Sequence, residues 1–234
     1  MRPLDEDAEL RAPAGSIADV RNDAPAGAHG EVRKRAVSVA LGALAQIIPE
    51  RVSGDLCGTS FPNAIGGYNR RRQRAYVYYE VPAGGNGGLN TADGPSAFVN
   101  VDFGNLMSIQ NAEAIENEMP LLVERSALRA DSGGEGRQRG GLGMCREVRL
   151  LDREASYSLL SDRAVIPAYG VLGGGPATPY RVTVQRGAEE LAFPTPGKVT
   201  GYPLREQDLV RMHSGGGGGY GDPLLRDPQA VRAD

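Results

Sequence analysis

The stretch "MHSGGGGGYGDPLLRDP" (Met212–Pro228) sets five consecutive glycines between a histidine and a Tyr-Gly-Asp-Pro turn. Such a run serves as a phosphate cradle, a catalytic turn or a flexible tail, and its neighbours decide which. A phosphate loop needs Gly-Lys-Ser/Thr at its end and a helix behind it, so that backbone N–H groups and the helix N-terminus face the anion. This run closes in a proline turn instead, which argues against direct nucleotide binding. "AGGNGG" (Ala83–Gly88) fails the dinucleotide test too: it follows an apolar strand, but "LNTADGPS" behind it starts no helix. A third glycine cluster is "DSGGEGRQRGGLG" (Asp131–Gly143).

The 234 residues suffice for one large domain or two small ones with a real core. The 33 glycines and 16 prolines make up about a fifth of the chain, below the ~25–30% that marks low complexity. That content predicts many tight turns between short strands rather than a helical bundle. A net charge of −3 gives no support for a nucleic-acid partner, and the basic run "RRRQR" (Arg70–Arg74) reads as a solvated turn. Cys57 and Cys145 stand far apart in no metal spacing, so reduced thiols in a cytoplasmic setting are expected. The opening "MRPLDEDAELRAPAGS" has no apolar core of a leader, and no run of roughly 18 apolar residues occurs, so no membrane partner is expected.

"EVRKRAVSVALGALAQIIP" (Glu31–Pro49) is the best helix, an amphipathic one over residues 31–48. Its apolar residues fall at Val32, Ala36, Val39/Ala40, Ala43/Leu44 and Ile47/Ile48, one face of a 3.6 repeat, and Pro49 stops it. "VSGDLCGTSFPNAIGGYN" (52–69) reads as loop and "AYVYYEV" (Ala75–Val81) as a strand. "SAFVNVDF" (Ser96–Phe103) offers another strand, "NAEAIENEM" (Asn111–Met119) a short helix, and "LLVERSALR" (Leu121–Arg129) a strand. Beyond the third glycine cluster come "MCREVRLL" (Met144–Leu151), "ASYSLLS" (Ala155–Ser161) and "YRVTVQRG" (Tyr180–Gly187); in the last, Tyr180, Val182 and Val184 alternate with polar residues as a half-buried strand requires. The fold class is α+β, rich in short strands and Gly-rich loops, with residues 1–143 mixed α and β and residues 144–234 mostly β.

Several residues qualify for chemistry. Glu80 ends an apolar strand, and the small residues after it (Gly84, Gly85 and Gly87) let a substrate approach the backbone closely. A carboxylate there acts as an acid/base, a metal ligand or an orienting acceptor, while hydrogen bonding to the turn's own amides is an equally good reading. Arg163, in "SDR" (Ser161–Arg163), offers a fork donor for an anionic group, in competition with an internal pairing to Asp162. His213 is one of two histidines and a candidate for proton transfer. No ligand-type residue sits at a metal spacing around it, and neither Cys-x-x-Cys nor Gly-x-Ser-x-Gly occurs, so no metal site and no serine-hydrolase elbow is expected.

Five stretches in the same order resemble the hydantoinase B/oxoprolinase family. They are "APAGS" (Ala12–Ser16), "YYEVPAGGNGG" (Tyr78–Gly88), "PLLVERSALRADSGGEGRQRGGLG" (Pro120–Gly143), "LLSDR" (Leu159–Arg163) and "GGGGYGDPLLRDP" (Gly216–Pro228). The resemblance implies that the terminal glycines belong to a folded domain. It covers what would be the C-terminal half of a typical member, which suggests a split subunit. By the same resemblance, an N-terminal-half subunit is one partner and carries any divalent metal, and a hydantoinase A-like subunit binds ATP and Mg. This chain alone is then expected to bind no cofactor and to be inactive. Ring opening of a cyclic amide of the hydantoin or 5-oxoproline type is the leading implication. After Asp93-Gly94, however, many ring-opening members carry a histidine-containing segment where this chain reads "PSAFVNVDFGN" (Pro95–Asn105). That departure keeps open ATP-dependent carboxylation of a ketone such as acetone or acetophenone, and a non-catalytic bracing subunit is a third reading.

Overall fold

The computed structural model describes residues 12–21, 27, 29–98 and 109–234. Helix α1 runs over His29–Leu44, ending four residues short of the expected stop. The cause is Pro49, which disfavours helical geometry in the residue before it. The chain tightens ahead of it: Gln46 N bonds Ala43 O and Ile47 N bonds Leu44 O, three-residue spacings that close the last turn. A 3-10 turn, Pro49–Arg51, follows.

The face that α1 packs is not its apolar one. Lys34 and Ser38 are buried, and Leu41 and Ala45 pack on Val52, Val171 and Tyr220. Val39 and Ile47 stay 72% and 77% exposed. The helix lies over residues 58–60, whose backbone and hydroxyl groups need polar partners. Glu31 accepts from Ser60 N at 2.8 Å and from Thr59 Oγ1 at 2.6 Å, Lys34 reaches the Ser60 hydroxyl, and Arg35 donates to the Gly58 carbonyl.

The strands β1 (Asn63–Asn69), β2 (Arg74–Glu80), β3 (Leu121–Leu128), β4 (Met144–Leu150), β5 (Glu154–Leu160), β6 (Arg181–Arg186), β7 (Glu189–Ala192), β8 (Lys198–Arg205) and β9 (Leu209–His213) form two antiparallel sheets. The four-stranded sheet has the order β2-β1-β5-β8 and the five-stranded one β3-β4-β9-β6-β7. Helix α2 (Ala112–Glu118) leads into β3. Ile65, Tyr78, Tyr157 and Leu204 of one sheet meet Val148, Val184, Val210 and Met212 of the other in one core, as two facing apolar sheet faces must. The division at residue 143 falls between β3 and β4, which are hydrogen-bonded neighbours. The basic run forms the exposed β1–β2 turn.

Strand β1 was hidden in the stretch read as loop, because Gly66 and Gly67 blank its alternation. Gly67 leaves room for the Tyr76 ring: a Cβ there would sit 2.9 Å from the Tyr76 hydroxyl and 3.0 Å from the ring. The strand anticipated at 96–103 lies mostly outside the described residues; within them, Phe98 makes an isolated bridge to Gly84.

The glycine run is the centre of a buried stack of extended segments. A Cβ on Gly216 would meet Ser132 O at 1.9 Å, on Gly217 Asn86 O at 2.0 Å, on Gly218 Tyr169 O at 1.8 Å, and on Gly219 Glu135 O at 1.8 Å. Residues 216 and 219 therefore face the same neighbouring segment, a recurrence of three that matches a polyproline-II type helix. The segments are tied by backbone bonds, among them Gly88 N to Gly218 O, Gly134 N to Gly217 O, Gly217 N to Gly141 O and Gly141 N to Asn86 O. As at the collagen axis, only glycine fits where backbone touches backbone on every side.

Candidate functional site

The strand alternation that buries Tyr76 and Tyr78 carries Glu80 into the sandwich interior. The facing strand β4 turns Met144, Arg146, Val148 and Leu150 inward in the same way. Glu80 and Arg146 meet there as a bidentate pair, Nε to Oε2 and Nη2 to Oε1 both at 2.9 Å, and the Tyr78 hydroxyl donates to Glu80. Arg146 Nη2 also donates to Gln110 O at 2.7 Å. Burial, and next the Glu80 charge, push the Tyr78 phenol far above its ordinary value.

Gly84, Gly85 and Gly87 lie beyond Glu80 in the stack. The atoms nearest a Cβ on them are Cys57 Sγ at 2.3 Å, Gly141 O at 1.8 Å and Gly54 O at 1.8 Å. The close approach at these three glycines is thus made by the chain's own atoms.

Arg163 sits under α1, with a left-handed φ of 62°. It pairs with buried Asp55 and donates to Pro167 O at 2.6 Å, while Asp162 lies 3.6 Å from Arg35. Burial holds the Asp55 carboxyl above its ordinary value, against the lowering effect of Ser38 and Arg35. Both Arg163 and Arg35 line a surface cavity of about 380 Å³.

His213 ends β9 on the outer face of the five-stranded sheet, in register with Cys145 on β4 and Arg181 on β6. Its Nε2 is buried without a hydrogen-bond partner, the Glu147 carboxylate standing 3.6 Å away. Burial, and next the Arg129 charge, lower its pKa from the ordinary 6.5. Glu80, Arg163 and His213 therefore occupy three separate places: the sandwich interior, the underside of α1 and an outer sheet face.

The backbone N–H groups of Gly85, Gly88, Gly134, Gly141, Gly217, Gly218 and Gly219 already donate to carbonyls, so the glycines present no anion cradle. No group of three or more His, Cys, Asp and Glu that could hold a metal occurs among the described residues.

Sequence reasoning missed Arg146, Tyr78, Asp55 and Arg129. A usable signal existed for Arg146: it occupies an inward position of an alternating strand, and a buried charge needs an opposite charge. The Asp93-Gly94 corner gained a partner as well. Asp93 takes a bidentate pair from Arg226 at 2.8 Å and Arg139 N at 2.7 Å, which fastens the closing "GDPLLRDP" segment to the stack.

A β-sandwich braced by a stack of glycine helices defines the structural class. The family model for hydantoinase B/oxoprolinase matches residues 6–223, and the chain belongs to that family. It is 34% identical over 202 residues to an uncharacterized protein of Methanocaldococcus jannaschii, covering 86% of this chain and 34% of that protein. With the beta subunit of caprolactamase from Pseudomonas jessenii it shares 29% identity over 231 residues, 95% of this chain and 39% of the subunit. A crystal structure of the ATP-dependent caprolactamase from that organism matches 82% of this chain and 34% of its own, with a TM-score of 0.72 and 28% identity. A nucleotide-free acetone carboxylase shares the fold with a TM-score of 0.65 at 24% identity, over 82% of this chain and 29% of its own. The chain spans only 34% and 39% of the two sequence relatives. No described helix is long and apolar enough to cross a membrane.

Proposed function

We propose that this chain is one subunit of an ATP-dependent enzyme that opens a cyclic amide. The observation that carries the reading is the likeness to caprolactamase, in sequence over 95% of this chain and in fold with a TM-score of 0.72. ATP and Mg belong to a hydantoinase A-like subunit, and a hydantoinase B-like N-terminal-half subunit supplies the remaining wall of the site with any divalent metal. The engaged N–H groups of the glycine stack support placing the nucleotide elsewhere.

Within this chain, Glu80 orients Arg146 and Tyr78, and Arg163 holds Asp55 beneath α1. His213 is the best group for proton transfer, because the Glu147 carboxylate stands 3.6 Å from its Nε2 and its lowered pKa favours the neutral, basic form. Ketone carboxylation is the second reading, favoured by the fold shared with acetone carboxylase.

The test is to co-express the chain with its neighbouring genes and follow ATP consumption with caprolactam, hydantoin, 5-oxoproline and acetone, the last with labelled bicarbonate. Bicarbonate-independent ring opening supports the amidohydrolase. Label fixed into acetone replaces it with the carboxylase, and turnover unaltered by substitution of Glu80, Arg163 and His213 leaves this chain a bracing subunit.

A further inference from the structure

Arg129, just past the end of β3, is a half-buried guanidinium with no carboxylate partner among the described residues. Its Nη1 donates to Pro179 O at 2.8 Å and Ser214 O at 3.0 Å, while the Nε and Nη2 donors have no acceptor among the described residues. Burial lowers its pKa, Cys145 partly offsets this, and nearby Arg181 adds to the fall. The surrounding sheet face is short of counter-charge too. Arg125, Arg181 and Arg211 join Arg129 there, and the ion pairs they make go to two glutamates, Glu147 and Glu190. This local excess of positive charge stands on a chain whose net charge is −3.

Arg129 and Arg181 line one part of a cavity of about 230 Å³, and Leu159, Ala164 and Phe193 give it apolar walls. Tyr180 lines it as well, only 3% exposed. A guanidinium with no carboxylate partner among the described residues, set beside an apolar wall, describes a recognition site rather than a packing defect. The volume is below the ~300–1,000 Å³ of drug-sized ligand pockets, which restricts the occupant to a small molecule.

We propose that this cavity binds a small organic carboxylate. The carboxylate pairs with the Arg129 guanidinium, and the hydrocarbon body covers Leu159, Ala164 and Phe193. A ring-opened cyclic amide has this chemistry, so the site deepens the function proposed above, yet its binding needs neither ATP nor a partner subunit.

Calorimetric titration of the full chain with 6-hydroxyhexanoate tests it, with hexane-1,6-diol and inorganic phosphate as comparisons. The hydroxy acid binds saturably and the other two do not. Arg129→Gln weakens binding about tenfold or more through loss of a charge-assisted bond. Ala164→Leu, which fills the apolar part with Arg129 intact, weakens it comparably while circular dichroism stays native. Should Arg129→Gln unfold the chain, Arg181→Gln and Ala164→Leu carry the comparison. The site is overturned by a wild-type chain that does not bind the hydroxy acid, by variants that bind it unchanged, or by phosphate binding equally well. A reconstituted complex without ring-opening activity overturns the functional reading and leaves the titration result standing.

Discussion

Glu80 and Arg146 show how one buried pair governs the interior of the sandwich. Two charges removed from water are tolerated only because each satisfies the other, with Tyr78 and Gln110 O completing their hydrogen bonds. Glu80→Gln strands the guanidinium, and urea denaturation is expected to show a loss of about 3–5 kcal/mol. The double variant Glu80→Gln/Arg146→Met recovers much of it. A Glu80→Gln chain of native stability that assembles but does not turn over would instead place the carboxylate in the chemistry. His213 makes a pH prediction. Its folded pKa lies below the ordinary 6.5, so the unfolded chain takes up the proton first. Its contribution to stability is complete above 6.5 and is lost as pH falls through the folded value. Denaturation curves between pH about 8 and about 5 should show this decline, reduced in His213→Gln.

At the scale of elements, the glycine segments obey steric rather than conformational demands. None of the stacked glycines 216–219 has a positive φ, so they are glycines for lack of space. Gly217→Ala places a methyl 2.0 Å from Asn86 O, against backbone that cannot move aside, and should cost more than ~4 kcal/mol or abolish soluble expression. Gly66→Ala is the matched control in β1: the nearest atom is 3.9 Å away, and removing a strand glycine changes stability by about 1 kcal/mol or less, with gain possible from reduced chain entropy. Melting temperatures of the two variants separate crowding from flexibility. Helix α1 follows a related logic, since the loop beneath it presents polar groups and selects the helix's polar face.

At the scale of the whole molecule, each sheet draws strands from both sides of residue 143. Strands β1 and β2 precede it and share a sheet with β5 and β8, β1 pairing with β5, while β3 precedes it and pairs with β4. Fragments 1–143 and 144–234 expressed separately should therefore show no native circular dichroism, and the intact chain should melt in a single transition. The glycine stack enforces the same unity, because residues 54, 88, 134, 141 and 217–218 bond across it. Two independently melting units would contradict this organisation.

The sequence by itself determined the elements whose periods are local. Short strand-like runs between glycine loops marked β2, β3, β4 and β5, alternation marked β6, the 3.6 repeat and Pro49 marked α1 to about one turn, and ordered glycine motifs marked the family. Tertiary structure decided what each face meets. Glu80 pairs with a residue 66 positions away and Arg163 with one 108 away, distances at which no local pattern carries information. The same holds for α1, whose apolar stripe is exposed because of what the loop at 58–60 presents, and for β1, whose glycines accommodate the Tyr76 ring. A side chain's period is set by its own backbone, whereas its partner is set by which distant segment the fold brings alongside.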